Sequence, residues 1–157
     1  MSADYALHRL TEAARLPELY ALVQAAFGAL AINPPSSVLK ETLADFEARL
    51  RDEIAVVAEA DHRLVGAVFC APQGDALYIG RLTVAPDWRR RGIAGALIDA
   101  AKDEARTLGA RRITLRARIM LPANVALFRR HGFAIVGEET HAGFSAPTSY
   151  EMAWPVA

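Results

Sequence analysis

The 157-residue chain carries 18 Lys and Arg against 18 Asp and Glu, so its formal net charge is zero. That balance argues against nucleic acid as a partner, because a nucleic-acid surface shows as a basic excess. The 53% apolar content argues against disorder, and the length favours a single domain, residues 1–157, with room for a sizeable core.

The opening Met1-Ser2-Ala3-Asp4-Tyr5 has no basic start and no apolar run, so no signal peptide is expected. No stretch approaches the length of a membrane span, which makes a cytoplasmic setting without a membrane partner the default expectation. Tyr5 to Leu10 reads as a first strand. A helix follows, with Pro17 in its first turn and Leu16, Leu19, Tyr20, Val23, Ala26, Phe27 and Leu30 as its apolar stripe. Asn33-Pro34-Pro35-Ser36 breaks it. Ser36 or Ser37 then caps a second helix expected to run through about Arg51.

Ile54 to Ala60 and Arg63 to Ala71 read as two strands of a hairpin closed by Asp61-His62. The second carries Cys70, the single cysteine, which excludes an internal disulfide and a cysteine-rich metal site. No two of His8, His62, His131 and His141 are spaced as helical neighbours, so no metal site is expected. Pro72 to Asp75 reads as a turn, and Ala76 to Ala85 as a third strand of an antiparallel meander. A helix from about Gly92 ends at Leu108-Gly109, and Arg112 to Arg118 is the next strand. A strand, helix and strand joined this way favour a parallel crossover. Pro122 opens a short helix, Ala123 to His131, closed by Gly132. Phe133 to Gly137 and Tyr150 to Trp154 read as the last two strands.

The stretch from Leu82 to Gly95 organises the rest. Leu82 and Val84 alternate with Thr83 as in a half-buried strand, and Pro86 stops the pairing. Arg89, Arg90, Arg91 and Gly92 follow, and then Ile93, Ala94, Leu97, Ile98, Ala101, Ala105 and Leu108 recur at helical spacing. A tight turn therefore delivers backbone N–H groups to the open, positive end of a helix. Gly92 and Ala94 leave the backbone open to a bulky anion, and the arginines add charge. The order of elements builds a phosphate cradle rather than an ordinary basic turn. It contains neither Gly-x4-Gly-Lys-Ser/Thr nor Gly-x-Gly-x-x-Gly, which weighs against an ATP- or NAD-binding domain.

Arg89-Arg90-Arg91-Gly92-Ile93-Ala94, preceded by Leu82-x-Val84-x-Pro86, resembles motif A of the GNAT family, the Gcn5-related N-acetyltransferases. Asn124-Val-Ala-Leu-Phe-Arg-Arg-His-Gly-Phe133 looks like that family's second motif, at the expected distance. The resemblance implies an α/β GNAT (acyl-CoA N-acyltransferase) fold, a mixed central sheet of about six to seven strands with about four helices. It implies acetyl-CoA as cosubstrate, held in a V-shaped cleft between two splayed parallel strands. Backbone groups of Leu82, Thr83 and Val84 would pair with the pantetheine arm. Arg89 to Gly95, Ile93 and Ala94 included, would hold the pyrophosphate. Asn124 would bond the pantetheine amide, and Phe128 would pack near the sulfur.

The implied reaction is acetyl transfer to the primary amine of a small-molecule or peptide acceptor by direct attack. A lysine-like amine is neutral in only roughly one molecule in 2,500 at pH 7, so a base or a chain of waters is useful. A backbone N–H at a bulge in the Leu82 strand could stabilise the thioester oxygen. The chain departs from the family at two positions. Phe128 stands where many members have a tyrosine acid, and Tyr78 stands where many have a carboxylate on the fourth strand. Tyr78 is the candidate catalytic residue, as an orderer of water. The second reading is a degenerate member that binds acetyl-CoA as a sensor. His141, Ser145 and Thr148 are candidates for lining the acceptor site, and a homodimer is left open.

Overall fold

β2 (Ile54–Ala60) is apolar on both faces, with Val56, Ala58 and Ala60 on one and Ala55 and Val57 on the other. A strand of that composition needs cover on both sides. In the computed structural model, which describes residues 4–156, both faces are covered. On one, α3 (Ile93–Leu108) sets Ile93, Leu97, Ile98, Ala101 and Ala105 into the core. On the other, α1 (Leu16–Gly28) and α2 (Leu43–Arg49) contribute Leu19, Val23 and Phe46. Met1-Ser2-Ala3, on which the expectation of no signal peptide rests, lies outside the described residues.

β1 (Ala6–Arg9), β3 (Arg63–Gln73) and β4 (Ala76–Val84) join β2 in an antiparallel half-sheet. Asp61 and His62 close the β2–β3 hairpin at φ 51° and 63°, the left-handed pair that a two-residue turn between twisted strands requires. β5 (Arg112–Arg118), β6 (Ala134–Glu139) and β7 (Ser149–Pro155) form the other half, with β7 between β5 and β6 and antiparallel to both. The order across the seven strands is β1-β2-β3-β4-β5-β7-β6. α3 crosses from β4 to β5. α4 (Pro122–Arg130) follows β5 and sets Val125 and Phe128 into the α3-side core. Among the described residues no helix is long and apolar enough to cross a membrane.

The chain from Ser36 to Arg51 departs from the expected single helix. Ser37–Lys40 is a 3₁₀ turn capped by the Ser36 hydroxyl, which accepts from the Val38 N–H. Glu41 is extended (ψ 135°), and α2 starts afresh after Thr42. The cause is a capping box. The Asp45 N–H donates to the Thr42 hydroxyl at 3.1 Å, and the Thr42 N–H donates to the Asp45 carboxylate at 2.9 Å. The expected turn from Pro72 to Asp75 is also shorter, because β3 runs on through Pro72 to Gln73. β2 pairs with β3 only as far as Cys70, so Pro72 withholds its N–H where one side of the strand is free.

Candidate active-site cleft

The two half-sheets meet along one short parallel seam. β4 and β5 pair at Ala76–Arg112, Leu77–Ile113 and Tyr78–Thr114, and there the pairing ends. Yet β4 continues to Val84 and β5 to Arg118. From Ile79 to Val84 the β5-facing edge of β4 has no strand beside it, so its backbone groups are open to a ligand. An extended molecule can add there as a strand would. Leu82, Thr83 and Val84 lie on this edge. The Thr83 side chain points inward, 2% exposed, and its hydroxyl donates to the Arg81 carbonyl at 2.9 Å.

The open edge leads into the arginine turn. Pro86–Trp88 is a short 3₁₀ turn, and Arg90 and Gly92 take positive φ of 64° and 81° on either side of Arg91. Gly92 is the N-cap of α3 and has no side chain to cap it. A Cβ added there would meet nothing within 4 Å. The first N–H groups of a 16-residue helix therefore face open space with the positive end of its dipole. Arg91 stacks on Trp88, 4.3 Å from the ring centroid, and Arg89 and Arg90 are exposed. Ile93 is buried at 1%, so only its backbone is available at the cradle. Ala94 and Gly95 form the rest of the first turn. A Cβ on Gly95 would lie 3.2 Å from the His131 ring, which puts the end of α4 against the start of α3.

Between the seam and the cradle β4 carries a bulge. Ala67 pairs with Thr83 and Phe69 with Gly80, so Arg81 and Leu82 together oppose Val68. Arg81 is left-handed there, with φ 53°. Its guanidinium grips Glu41 with two hydrogen bonds to one oxygen, 3.1 Å from Nε and 2.9 Å from Nη2.

The sheet face on the α1–α2 side has a cavity of about 250 Å³ beside the end of the seam, lined by Gln73, Tyr78, Thr114, Leu115, Arg116 and Glu151. Burial pushes the Tyr78 hydroxyl above its ordinary range, so it stays protonated and can donate or relay but not act as a strong base. Glu151 is the carboxylate that sequence reasoning missed. It comes from β7, directly across from Arg116 in register. Arg116, which lines the same cavity, pairs with Glu139 at 3.0 Å, and among the described residues no cation forms an ion pair with Glu151. The β5–β7 register alone reveals it, and no local motif in the chain marks that register.

Of the α4 residues, Phe128 is 8% exposed and packs edge-on against Phe133 at 5.9 Å. Asn124 is exposed in the first turn of α4, after the N-cap Leu121. His141 and Thr148 bond each other through Nδ1 and Oγ1 across the β6–β7 loop, and the His141 N–H also donates to that hydroxyl at 3.0 Å. Burial and then Arg118 hold His141 below the usual histidine range, hence neutral at pH 7. Ser145 is exposed. Among the described residues no group of His, Cys, Asp and Glu could hold a metal ion.

Comparison with known proteins agrees with this architecture. The acetyltransferase (GNAT) family matches residues 16–133. N-alpha-acetyltransferase 30 of Schizosaccharomyces pombe is 33% identical over 86 residues, which are 52% of this chain. The chain spans 57% of the length of that relative. The ribosomal-protein-alanine N-acetyltransferase of Brucella melitensis has a similar fold, with a TM-score of 0.75 at 24% identity over 96% of this chain and 99% of that one. The PaiA N-acetyltransferase of Thermoplasma acidophilum, solved with coenzyme A, gives a TM-score of 0.80 at 15% identity over 99% of each chain. With the family match covering most of the chain and a split β4–β5 seam running into an arginine cradle, the chain belongs to the GNAT acetyltransferase family.

Proposed function

We propose that this protein is an acetyl-CoA-dependent N-acetyltransferase acting on a primary amine. The observation that carries the reading is the open β4 edge from Ile79 to Val84, which leads straight to the uncapped first N–H groups of α3. One end of that track suits an amide-bearing arm, and the other suits a pyrophosphate. Leu82, Thr83 and Val84 hold the arm through their backbone. Arg89 to Gly95 hold the phosphates. Phe128 closes the core behind the cleft, and Asn124 lies on the α4 side.

The amine enters from the α1–α2 face, where Tyr78 and Glu151 share one cavity. Its nitrogen attacks the thioester carbonyl carbon. A C–N bond forms, the C–S bond breaks, and coenzyme A leaves as thiolate. Tyr78 orders the amine or the water beside it. Glu151 and solvent offer places for the ammonium proton to go. Phe128 has no proton to give, so the thiolate is protonated by solvent. The names of the relatives put peptide N-termini first among acceptors to test, with small amines second.

The test is release of free thiol from acetyl-CoA across peptide N-termini, polyamines, amino acids and aminoglycosides. Release many-fold above hydrolysis with at least one class is expected. Background rates with all of them, at retained coenzyme A affinity, would favour a sensor. That second reading draws on the missing hydroxyl at Phe128 and the protonated Tyr78.

A further inference from the structure

We infer that Glu41 and Arg81 form a positioning pair that holds the β4 bulge in the conformation needed to polarise the thioester carbonyl. The inference rests on the reading of the β4 edge as the acetyl-CoA site. Arg81 is not a glycine, yet its φ is 53°. A left-handed arginine in a strand is unfavourable and persists only when its surroundings over-determine it. Four contacts do so. Arg81 donates twice to Glu41 Oε1, at 3.1 and 2.9 Å. Its guanidinium lies 5.9 Å from the Phe69 ring centroid. Its carbonyl accepts from the Thr83 hydroxyl at 2.9 Å.

Glu41 is itself fixed. Its second oxygen accepts from Arg49 Nε at 3.1 Å and Nη2 at 2.7 Å. Its carbonyl accepts from the Tyr20 hydroxyl at 2.6 Å. Arg49 also pairs with Glu53 at 2.7 Å. The Arg81 and Glu41 side chains are each 13% exposed, so water does little to screen them. Two guanidinium groups thus share one carboxylate, each on its own oxygen, and the carboxylate cannot turn without releasing both. Glu41 holds this position because α2 begins only after its N-cap Thr42, leaving residue 41 extended. The acceptor-side segment and the bulge are therefore one mechanical unit. Loosening Glu41 lets Arg81 relax out of the left-handed region and rotates the peptide that follows it, that of Leu82. A donor at this point matters only if it is aimed before the reaction starts.

The experiment compares wild type, Glu41→Gln, Arg81→Gly and the double variant. Glycine accepts the positive φ without the side chain, which guards against simple misfolding at that position. Coenzyme A affinity by calorimetry should fall by a smaller factor than kcat, because the pair makes no contact with the phosphate cradle and only the Leu82 peptide, at one end of the pantetheine track, is disturbed. With a reactive amine, kcat for Glu41→Gln should fall about 10- to 100-fold, short of or equal to the ~10²–10³ that follows deletion of an oxyanion donor. Adding Glu41→Gln to Arg81→Gly should cost less than about twofold more, because the partner is already gone. The carbonyl stretch of ¹³C-labelled acetyl-CoA bound to wild type should lie below its free value, and Glu41→Gln should return it towards free. A wild-type carbonyl with no displacement would overturn the reading of the β4 edge. A displacement present in wild type and unchanged in Glu41→Gln, or an equal cost of that change with and without Arg81, would overturn the positioning pair alone.

Discussion

Gly92 and Phe128 test the site from its two ends. Gly92 sits at φ 81° with open space where a side chain would be. Gly92→Asp strains the backbone and sets a carboxylate where phosphates should bind. Calorimetry should find coenzyme A affinity reduced at least about 100-fold, since both the cradle and its charge are lost. Tight binding by this variant would remove the arginine turn from the site. Phe128→Tyr adds one oxygen to a ring already packed against Phe133. Turnover should rise to the extent that thiolate protonation limits the rate, with about 10²–10⁴-fold as the ceiling of general acid help. A large loss with coenzyme A affinity intact would show that the ring packs against the acceptor.

At the level of elements, α3 must sit close to the sheet for its first turn to meet the end of β4. Gly66 permits this. A Cβ there would stand 2.9 Å from Ile93 Cγ2 and 3.1 Å from the Thr83 carbonyl. Gly66→Ala should cost about 1–3 kcal/mol in denaturant unfolding and weaken coenzyme A binding together with it. Gly28→Ala, whose Cβ would only touch Leu39 at 3.9 Å, should be neutral or stabilising. α2 offers a second case. Thr42→Ala removes its capping box and should cost about 1 kcal/mol at neutral pH. The Thr42 backbone N–H, and then its hydroxyl, hold the Asp45 carboxyl below its ordinary range. Its contribution is therefore present above the unfolded-state pKa and lost as the pH falls through the folded-state one. The gap in melting temperature between wild type and Asp45→Asn should narrow on acidification. A gap independent of pH would leave the carboxylate without a part in the cap.

Across the whole molecule, the proposed ligand would join the two half-sheets where their own pairing stops. It would touch the β4 edge, the start of α3 and the α4 side of the cleft at once. Binding to the folded state alone raises stability by mass action, about 2.7 kcal/mol at a hundredfold excess over Kd. Coenzyme A should therefore raise the melting temperature of wild type and leave that of Gly92→Asp unchanged. An equal rise in both would place the ligand elsewhere.

The fold was legible in the chain wherever a few neighbouring residues decide the conformation. Val84, Pro86, the three arginines and Gly92 specify strand, stop, turn and helix start through contacts only a few residues long, and the structure reproduces that order. The apolar stripe of α3 and the two-faced apolar character of β2 likewise place the layers. The residues from Ser36 to Arg51 misled, because their apolar spacing suits one helix while the Thr42–Asp45 cap outweighs it. Tertiary structure alone decided three things. It set where β4 parts from β5, it inserted β7 between β5 and β6 so that Glu151 reaches the cavity of Tyr78, and it closed Arg81 on Glu41. Each depends on register and packing between segments distant in the chain. Local spacing carries no record of those choices, because which strand lies beside which is settled only when whole faces are buried together.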